Sequence, residues 1–73
     1  MELDHDALEP LYEQLAGVLR DQITSGKLRG RVPSAKTLGQ EYGVSVGTAE
    51  RALAILRNEK LIASASGRGH FTL

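Results

Sequence analysis

The side chains best suited to contact a ligand lie within residues 43–53, which read Gly-Val-Ser-Val-Gly-Thr-Ala-Glu-Arg-Ala-Leu. Gly43 can adopt the positive φ that ends a helix, and Val44 can anchor the following turn in a core. Ser45 can accept a hydrogen bond from a free N–H group at the start of the next helix. Free N–H groups at a helix start also bind phosphate readily. The stretch therefore predicts a turn and a capped helix whose first residues can contact an anion.

A second capped helix is predicted immediately before this turn. Ser34 can cap a helix over residues 35–42, so two short helices are joined by a turn of three or four residues. Two helices in this arrangement form a helix-turn-helix motif. The second helix of that motif presents its N-terminal side chains to base edges in the major groove. The pattern therefore predicts double-stranded DNA as the partner.

Apolar residues recur every three or four positions in the segments that flank the motif. The first of these segments covers residues 10–25, and the last runs from residue 46 to about 60. Residues 27–32 between the helices are expected to form a loop or a three-residue strand. The apolar positions that we expect to form one three-helix core are Leu11, Leu15, Val18, Leu19, Ile23, Leu38, Tyr42, Ala49, Ala52, Leu53 and Leu56.

The C-terminal part of the chain has a different pattern. Two short segments, residues 62–65 and 70–73, flank a Gly-Arg-Gly sequence. Short segments around such a loop are typical of a β-hairpin. A hairpin that follows the second helix of the motif forms a wing. The predicted fold class is mainly α with a small β-hairpin, a winged helix-turn-helix of three helices plus the wing.

Length and composition exclude several classes of function. A chain of 73 residues supports one small domain, which buries only about 60% of the surface that its unfolded chain exposes. The sequence contains no Gly-rich nucleotide loop and no Ser/His/Asp or Cys/His set, and its two histidines, His5 and His70, are far apart. We therefore expect no enzyme activity, no cofactor and no metal site. With no cysteine and no apolar run near ~20 residues, we expect a cytoplasmic protein without membrane association.

Charge is distributed unevenly along the chain, although the net charge is zero. Residues 1–13 contain five acidic and no basic side chains, whereas residues 14–73 contain nine basic and four acidic ones, a net charge of +5. We divide the chain into an acidic leader, residues 1–9, and a basic DNA-binding domain, residues 10–73. The leader is interpreted as a solvated tail, and the alternative is that it competes with DNA for the basic face.

These motifs resemble the N-terminal domain of GntR-type bacterial regulators over about residues 8–73. The resemblance implies a winged helix that binds operator DNA, usually as a dimer on a palindrome. Family members normally continue into a ligand-binding domain, and we expect this chain to lack both that domain and a small-molecule site. The residues that carry the resemblance lie at 10–15, 25–28, 32–34, 38, 43–45, 47–48, 51–53 and 67–69.

The resemblance also implies which residues contact DNA. The family reads DNA with arginines at the positions that Lys36, Val46 and Glu50 occupy here. Lys36 keeps the charge without the bidentate fork, Val46 could pack on a thymine methyl group, and Glu50 could accept from a cytosine amino group or pair with Arg51 or a lysine. Arg68 of the wing is the best minor-groove candidate. The predicted DNA-binding residues are Ser34, Lys36, Ser45, Val46, Gly47, Thr48, Glu50, Gly67, Arg68 and Gly69.

Two other residues near this surface are assigned to the fold. Arg51 is expected to brace the domain through Glu50 or Glu41, and Tyr12 is expected at the edge of the core. The preferred function is a sequence-specific DNA-binding transcriptional regulator, and the expected assembly is a homodimer on a palindromic operator. The alternative is a winged helix repurposed for protein–protein recognition, which the zero net charge, Val46 and Glu50 favour. Binding to random duplex DNA at low salt discriminates between the two.

Overall fold

Three helices and three short strands form the computed structural model, which describes residues 3–65 and 69–73. The elements follow the order α1, β1, α2, α3, β2 and β3 along the chain. The strands form one antiparallel sheet in the order β1-β3-β2. This architecture confirms the winged helix-turn-helix prediction. The bounds of the elements are Leu11–Thr24 for α1, Arg31–Val32 for β1, Ala35–Tyr42 for α2, Val46–Asn58 for α3, Ile62–Ala65 for β2 and Gly69–Thr72 for β3.

The core lies where α1, α3 and the sheet meet, with α2 packed on α3. The apolar faces that the helical spacing predicts are the faces that pack together, because each amphipathic helix must bury its apolar side against another element. Leu15, Leu38 and Leu56 are among its fully buried side chains. The complete set of buried apolar residues in the described part is Leu3, Leu15, Ala16, Leu19, Val32, Leu38, Ala49, Ala52, Leu53, Leu56 and Ile62.

Helix α3 ends at Asn58, earlier than the sequence pattern predicts. Lys60 has a positive φ of 62°, and its N–H group donates to the carbonyl of Arg57 at 2.9 Å. The N–H group of Leu61 donates to the carbonyl of Leu56 at 3.1 Å. This pair of hydrogen bonds is the Schellman motif, which usually has glycine at the left-handed position. Because lysine occupies that position here, the end of the helix is not evident from the sequence.

The sheet contains the predicted hairpin and a third strand, β1, which lies within residues 27–32, where we expected a loop or a three-residue strand. Residues Arg31 and Val32 pair with Phe71 and His70 of β3, and Val32 is buried. The Gly30 carbonyl accepts from the Thr72 N–H at 2.8 Å, which continues the pairing beyond β1. The wing is therefore joined to the segment that leads into α2. This placement brings β1 and β3 beside the N-terminal end of α2.

The acidic leader is attached to the domain at residues 3 and 4, in contrast to the solvated tail that we expected. Leu3 is only 7% exposed and packs in the core. The Gln14 side chain accepts from the Asp4 N–H at 2.8 Å and donates to the carbonyls of Asp4 and Glu9, each at 2.8 Å. The apolar side chain of Leu3 explains the attachment, since its burial removes apolar surface from water. The acidic side chains of Asp4, Asp6 and Glu9 are exposed.

Candidate nucleic-acid interface

The turn between α2 and α3 is built on two glycines. Gly43 adopts the left-handed conformation, φ 69° and ψ 36°, that ends α2. The N–H group of Val44 then donates to the Gly39 carbonyl at 3.0 Å. A Cβ atom at Gly39 would lie 2.8 Å from the Val44 carbonyl oxygen. Gly39 therefore lets α2 approach the turn closely. Gly39 was not among the predicted site residues, although an isolated glycine inside a helical pattern often has a packing reason.

Ser34 and Ser45 cap α2 and α3, as predicted. The Ser34 Oγ accepts from the Thr37 N–H at 3.2 Å and donates to the Thr37 Oγ1 at 3.0 Å. The Ser45 Oγ accepts from the Thr48 N–H at 3.0 Å and donates to the Thr48 Oγ1 at 2.9 Å. Each cap satisfies one of the N–H groups that a helix start leaves without an intrahelical partner. Thr48, a predicted DNA contact, thus holds its hydroxyl against the cap.

The exposed side of the α3 start presents few functional groups. Val46 is 46% exposed, one of the few large apolar side chains of the described part that are open to solvent. Gly47 and Glu50 are also exposed, as is Lys36 in the first turn of α2. Ala49 is fully buried and faces the core. The structure therefore brings the predicted contacts of α2 and α3 to the solvent side of the motif.

Arg51 stacks on an aromatic ring. Its guanidinium carbon lies 4.3 Å from the centre of the Tyr12 ring, a cation–π distance. We expected Arg51 to brace the fold through Glu50 or Glu41, and the structural role is retained with a different partner. Within residues 3–65 and 69–73, the one ion pair joins Arg20 of α1 to Glu59, with 2.6 Å between Nη2 and Oε2. The hydrogen bond from Arg20 lowers the pKa of Glu59.

A cleft separates the α2 start from the wing and has a volume of about 370 Å³. Arg31, Arg57 and His70 contribute its basic groups, and the acidic Glu50 also lines it. The Arg57 Nη1 lies 3.2 Å from the His70 Nε2. A guanidinium can only donate, so the Nε2 atom accepts and the ring is neutral in this contact. Partial burial and then the charge of Arg57 lower the pKa of His70. Arg31, Arg57 and His70 were not among the predicted site residues. The pairing of β1 with β3 brings Arg31 and His70 to the cleft that Arg57 also lines.

The remaining predicted contacts are residues 67–69 of the sequence. Gly69 begins β3 with a positive φ of 87° and is exposed. Gly67 and Arg68 lie outside the described residues. Ser64 and Ala65 end the strand that leads to the tip, and Ser64 is exposed. The minor-groove contact proposed for Arg68 therefore depends on its position in the sequence.

Within residues 3–65 and 69–73, no group of three or more histidine or acidic side chains is close enough to hold a metal ion. In the same ranges, every helix is too short and too polar to cross a membrane. The candidate site therefore consists of the capped starts of α2 and α3 and the cleft that contains Arg31, Arg57 and His70.

Comparison with known proteins identifies the family. The family model described as bacterial regulatory proteins, gntR family, matches residues 11–71. This chain therefore belongs to the GntR family, and it corresponds to the DNA-binding domain of these transcriptional regulators.

Two curated relatives show the same correspondence. The chain is 35% identical over 65 residues to the mannosyl-D-glycerate transport/metabolism system repressor MngR of Escherichia coli (strain K12), covering 86% of this chain and 27% of that protein. It is 33% identical over 73 residues to the HTH-type transcriptional repressor NagR of Bacillus subtilis (strain 168), covering 97% of this chain and 30% of that protein. The chain thus spans less than a third of the length of these relatives.

A solved structure of the DNA-binding domain of AraR in complex with operator ORX1 resembles the whole chain. The TM-score is 0.89 at 29% identity, and the match covers 100% of this chain and 95% of that one. The fold of the chain is therefore that of a GntR DNA-binding domain.

Proposed function

We propose that this chain binds double-stranded DNA sequence-specifically, as the operator-binding part of a transcriptional regulator. The observation that carries the proposal is the exposed, capped start of α3, which a tight turn joins to an α2 helix with an equally capped start. In a helix-turn-helix, these two ends meet the phosphate backbone and the base edges. Its relatives MngR and NagR are repressors, and the AraR domain was solved with an operator. Such a function places the chain in the cytoplasm, where a bacterial operator lies.

The charged groups around the two helix starts suit this role. Lys36 is exposed in the first turn of α2, close to the free N–H groups beyond the Ser34 cap. Arg31 and Arg57 lie in the cleft between the helices and the wing. A backbone phosphate at this face meets positive charge on both sides of the α2 start. Ser34, Ser45 and Thr48 contribute hydroxyls, and Gly67, Arg68 and Gly69 extend the proposed surface to the minor groove.

Useful affinity requires more than one copy of so small a module. One domain of this size makes few contacts, and dimeric helix-turn-helix proteins place two recognition helices on half-sites about 34–36 Å apart. We therefore infer a homodimer on a palindromic operator. The stoichiometry of the complex on one half-site and on two tests this inference. One copy bound to a two-half-site duplex at saturation contradicts it.

The test of DNA binding is a salt titration with random duplex DNA. We expect the fluorescence anisotropy of labelled DNA to show a complex that weakens steeply between about 50 mM and about 200 mM salt. Lys36→Gln removes one phosphate contact, so it weakens binding to all sequences and lowers the slope of log affinity against log salt by about 0.9. Lys60→Gln is the matched control, because Lys60 follows the opposite end of α3.

One outcome contradicts the proposal, and another contradicts only the role of Lys36. Absence of a salt-sensitive complex at micromolar protein favours the alternative, a winged helix that recognises a protein. Equal slopes for Lys36→Gln and the unmodified chain remove Lys36 from the interface while leaving DNA binding intact.

A further inference from the structure

The start of α3 presents a restricted set of side chains to a partner. Val46 and Glu50 are exposed and four residues apart, so they lie on one face of the helix about 6 Å apart along its axis. Gly47 lies beside Val46 and contributes no side chain. Their neighbours point elsewhere, because Ala49 is buried and Arg51 lies over Tyr12. The face that a major groove meets is therefore an apolar side chain followed by a carboxylate.

This face lacks side-chain hydrogen-bond donors. Valine has no polar atom, and an ionised glutamate only accepts. The Thr48 hydroxyl accepts from the Ser45 Oγ at 2.9 Å. Thr48 is two residues from both Val46 and Glu50, so it does not share their face of the helix. In the described part of the chain, no basic group forms an ion pair with Glu50. Guanine presents two acceptors, N7 and O6, in the major groove, so this face has nothing to offer it.

We propose that Val46 and Glu50 select operator half-sites in which α3 faces a thymine and a cytosine rather than a guanine. This inference rests on the DNA binding proposed above. Thymine presents a methyl group that Val46 can pack against, and cytosine presents an N4 amino group that donates to the Glu50 carboxylate. The axial separation of about 6 Å corresponds to about two base-pair steps of 3.4 Å.

Glu50 discriminates among base pairs mainly because its charge makes binding to most DNA sequences less favourable. Its negative charge repels the phosphates that line the groove, and this repulsion acts on every DNA sequence. A cytosine at the position that faces Glu50 donates a charge-assisted hydrogen bond from its amino group to the carboxylate, which offsets part of this repulsion. A guanine at that position presents only further acceptors. Such a repulsive element against wrong partners is a common source of specificity. The carboxylate thus lowers affinity for all sequences and lowers it least for the correct one.

The experiment combines selection of bound duplexes from a random pool with two small chemical changes. One change removes a methyl group from the DNA, and the other removes a charge from the protein. We expect the selected half-site to contain a cytosine and a thymine about two steps apart. Replacing that thymine with deoxyuridine removes only the methyl group, and we expect weaker binding by the unmodified chain and a smaller change for Val46→Ala. The comparison of the two duplexes with the unmodified chain does not depend on the folding of a variant.

Glu50→Gln supplies the second change. We expect it to strengthen binding to random duplex while reducing the preference for cytosine over adenine at the facing position by about tenfold, because glutamine reads adenine and no longer repels phosphate. Asp21→Asn is the matched control: Asp21 is exposed near the C-terminal end of α1, and its replacement removes the same charge away from the α3 start.

The outcomes separate this inference from the proposed function. If the unmodified chain binds duplex DNA with salt dependence but shows no preference for a C·G pair over an A·T pair at the position that faces Glu50, the inference is wrong and DNA binding stands. An unchanged base preference in Glu50→Gln has the same consequence. An equal effect of deoxyuridine on the unmodified chain and on Val46→Ala removes the methyl contact. Absence of any salt-dependent complex overturns the proposed function instead.

Discussion

Helices α2 and α3 begin in almost the same way. Ser34 has φ −68° and ψ 161°, and Ser45 has φ −69° and ψ 157°. Each serine accepts from the N–H group of a threonine three residues later, and each hydroxyl donates to that threonine's Oγ1. The backbone N–H groups at the two helix starts are therefore organised to the same degree. Any difference in what the two ends bind must come from the exposed side chains.

Those side chains differ in charge and polarity. The first turn of α2 exposes Lys36, a cation that suits phosphate of any sequence. The start of α3 exposes Val46 and Glu50, which neutralise no phosphate. The same cap geometry can therefore support two different kinds of DNA contact. The α2 end is suited to hold the backbone, and the α3 end is suited to discriminate among bases.

We expect the largest effect on stability from a substitution at Gly39 of α2, because its surroundings are more crowded than those of Gly47 of α3. Gly39→Ala of α2 places a Cβ atom 2.8 Å from the Val44 carbonyl oxygen, whereas Gly47→Ala of α3 meets nothing closer than the Ser45 Oγ at 3.9 Å. After the gain in helix propensity, we expect a net loss of about 1–2 kcal/mol for Gly39→Ala. Gly47→Ala should gain about 0.5–1 kcal/mol. Urea unfolding measures both, and stabilisation by both substitutions shows that the turn adapts.

The caps test the similarity of the two helix starts directly. We expect Ser34→Ala and Ser45→Ala each to lower the free energy of unfolding by about 1 kcal/mol, since each leaves one helix N–H group without its side-chain partner. Ser64→Ala, at an exposed position of β2, is the control and should change it by less than about 0.5 kcal/mol. A large loss of unfolding free energy for one cap variant and none for the other would show that the two caps are not equivalent.

The smallest effect concerns the opposite end of α3, where Arg57 contacts His70. Burial and the Arg57 charge lower the pKa of His70 from its ordinary value of 6.5, so the folded state favours the neutral ring. Stability from this contact is present above pH 6.5 and is lost as pH falls from there through the lowered pKa. The midpoint of urea unfolding, followed against pH, should show this loss.

Two variants make the pH prediction specific. His70→Gln should flatten the pH dependence in that range, and His5→Gln should leave it unchanged because His5 is an exposed residue of the leader. The cap variant Ser45→Ala should keep it, since Ser45 lies at the other end of α3 from Arg57. A pH dependence that survives in His70→Gln assigns the titration to another group.

Several structural predictions were correct because they depend on interactions close in sequence. A serine cap needs only the N–H group three residues later, and the left-handed Gly43 needs only the turn itself. The bounds of α2 follow from these two signals. The expected end of α3 was wrong by two residues because Lys60 occupies a position where glycine is the usual signal. The DNA contacts assigned to Lys36, Val46 and Glu50 remain predictions.

The sequence by itself determined the three apolar faces, the two caps and the hairpin, because periodicity and capping are properties of short segments. Tertiary structure alone decided which distant groups meet. Pairing of β1 with β3 places Arg31 beside Arg57 and His70, packing of α1 on α3 places Tyr12 beneath Arg51, and core burial attaches Leu3 to the domain. Such contacts join residues far apart in the chain, so they are specified by how the apolar faces pack together and by no local pattern.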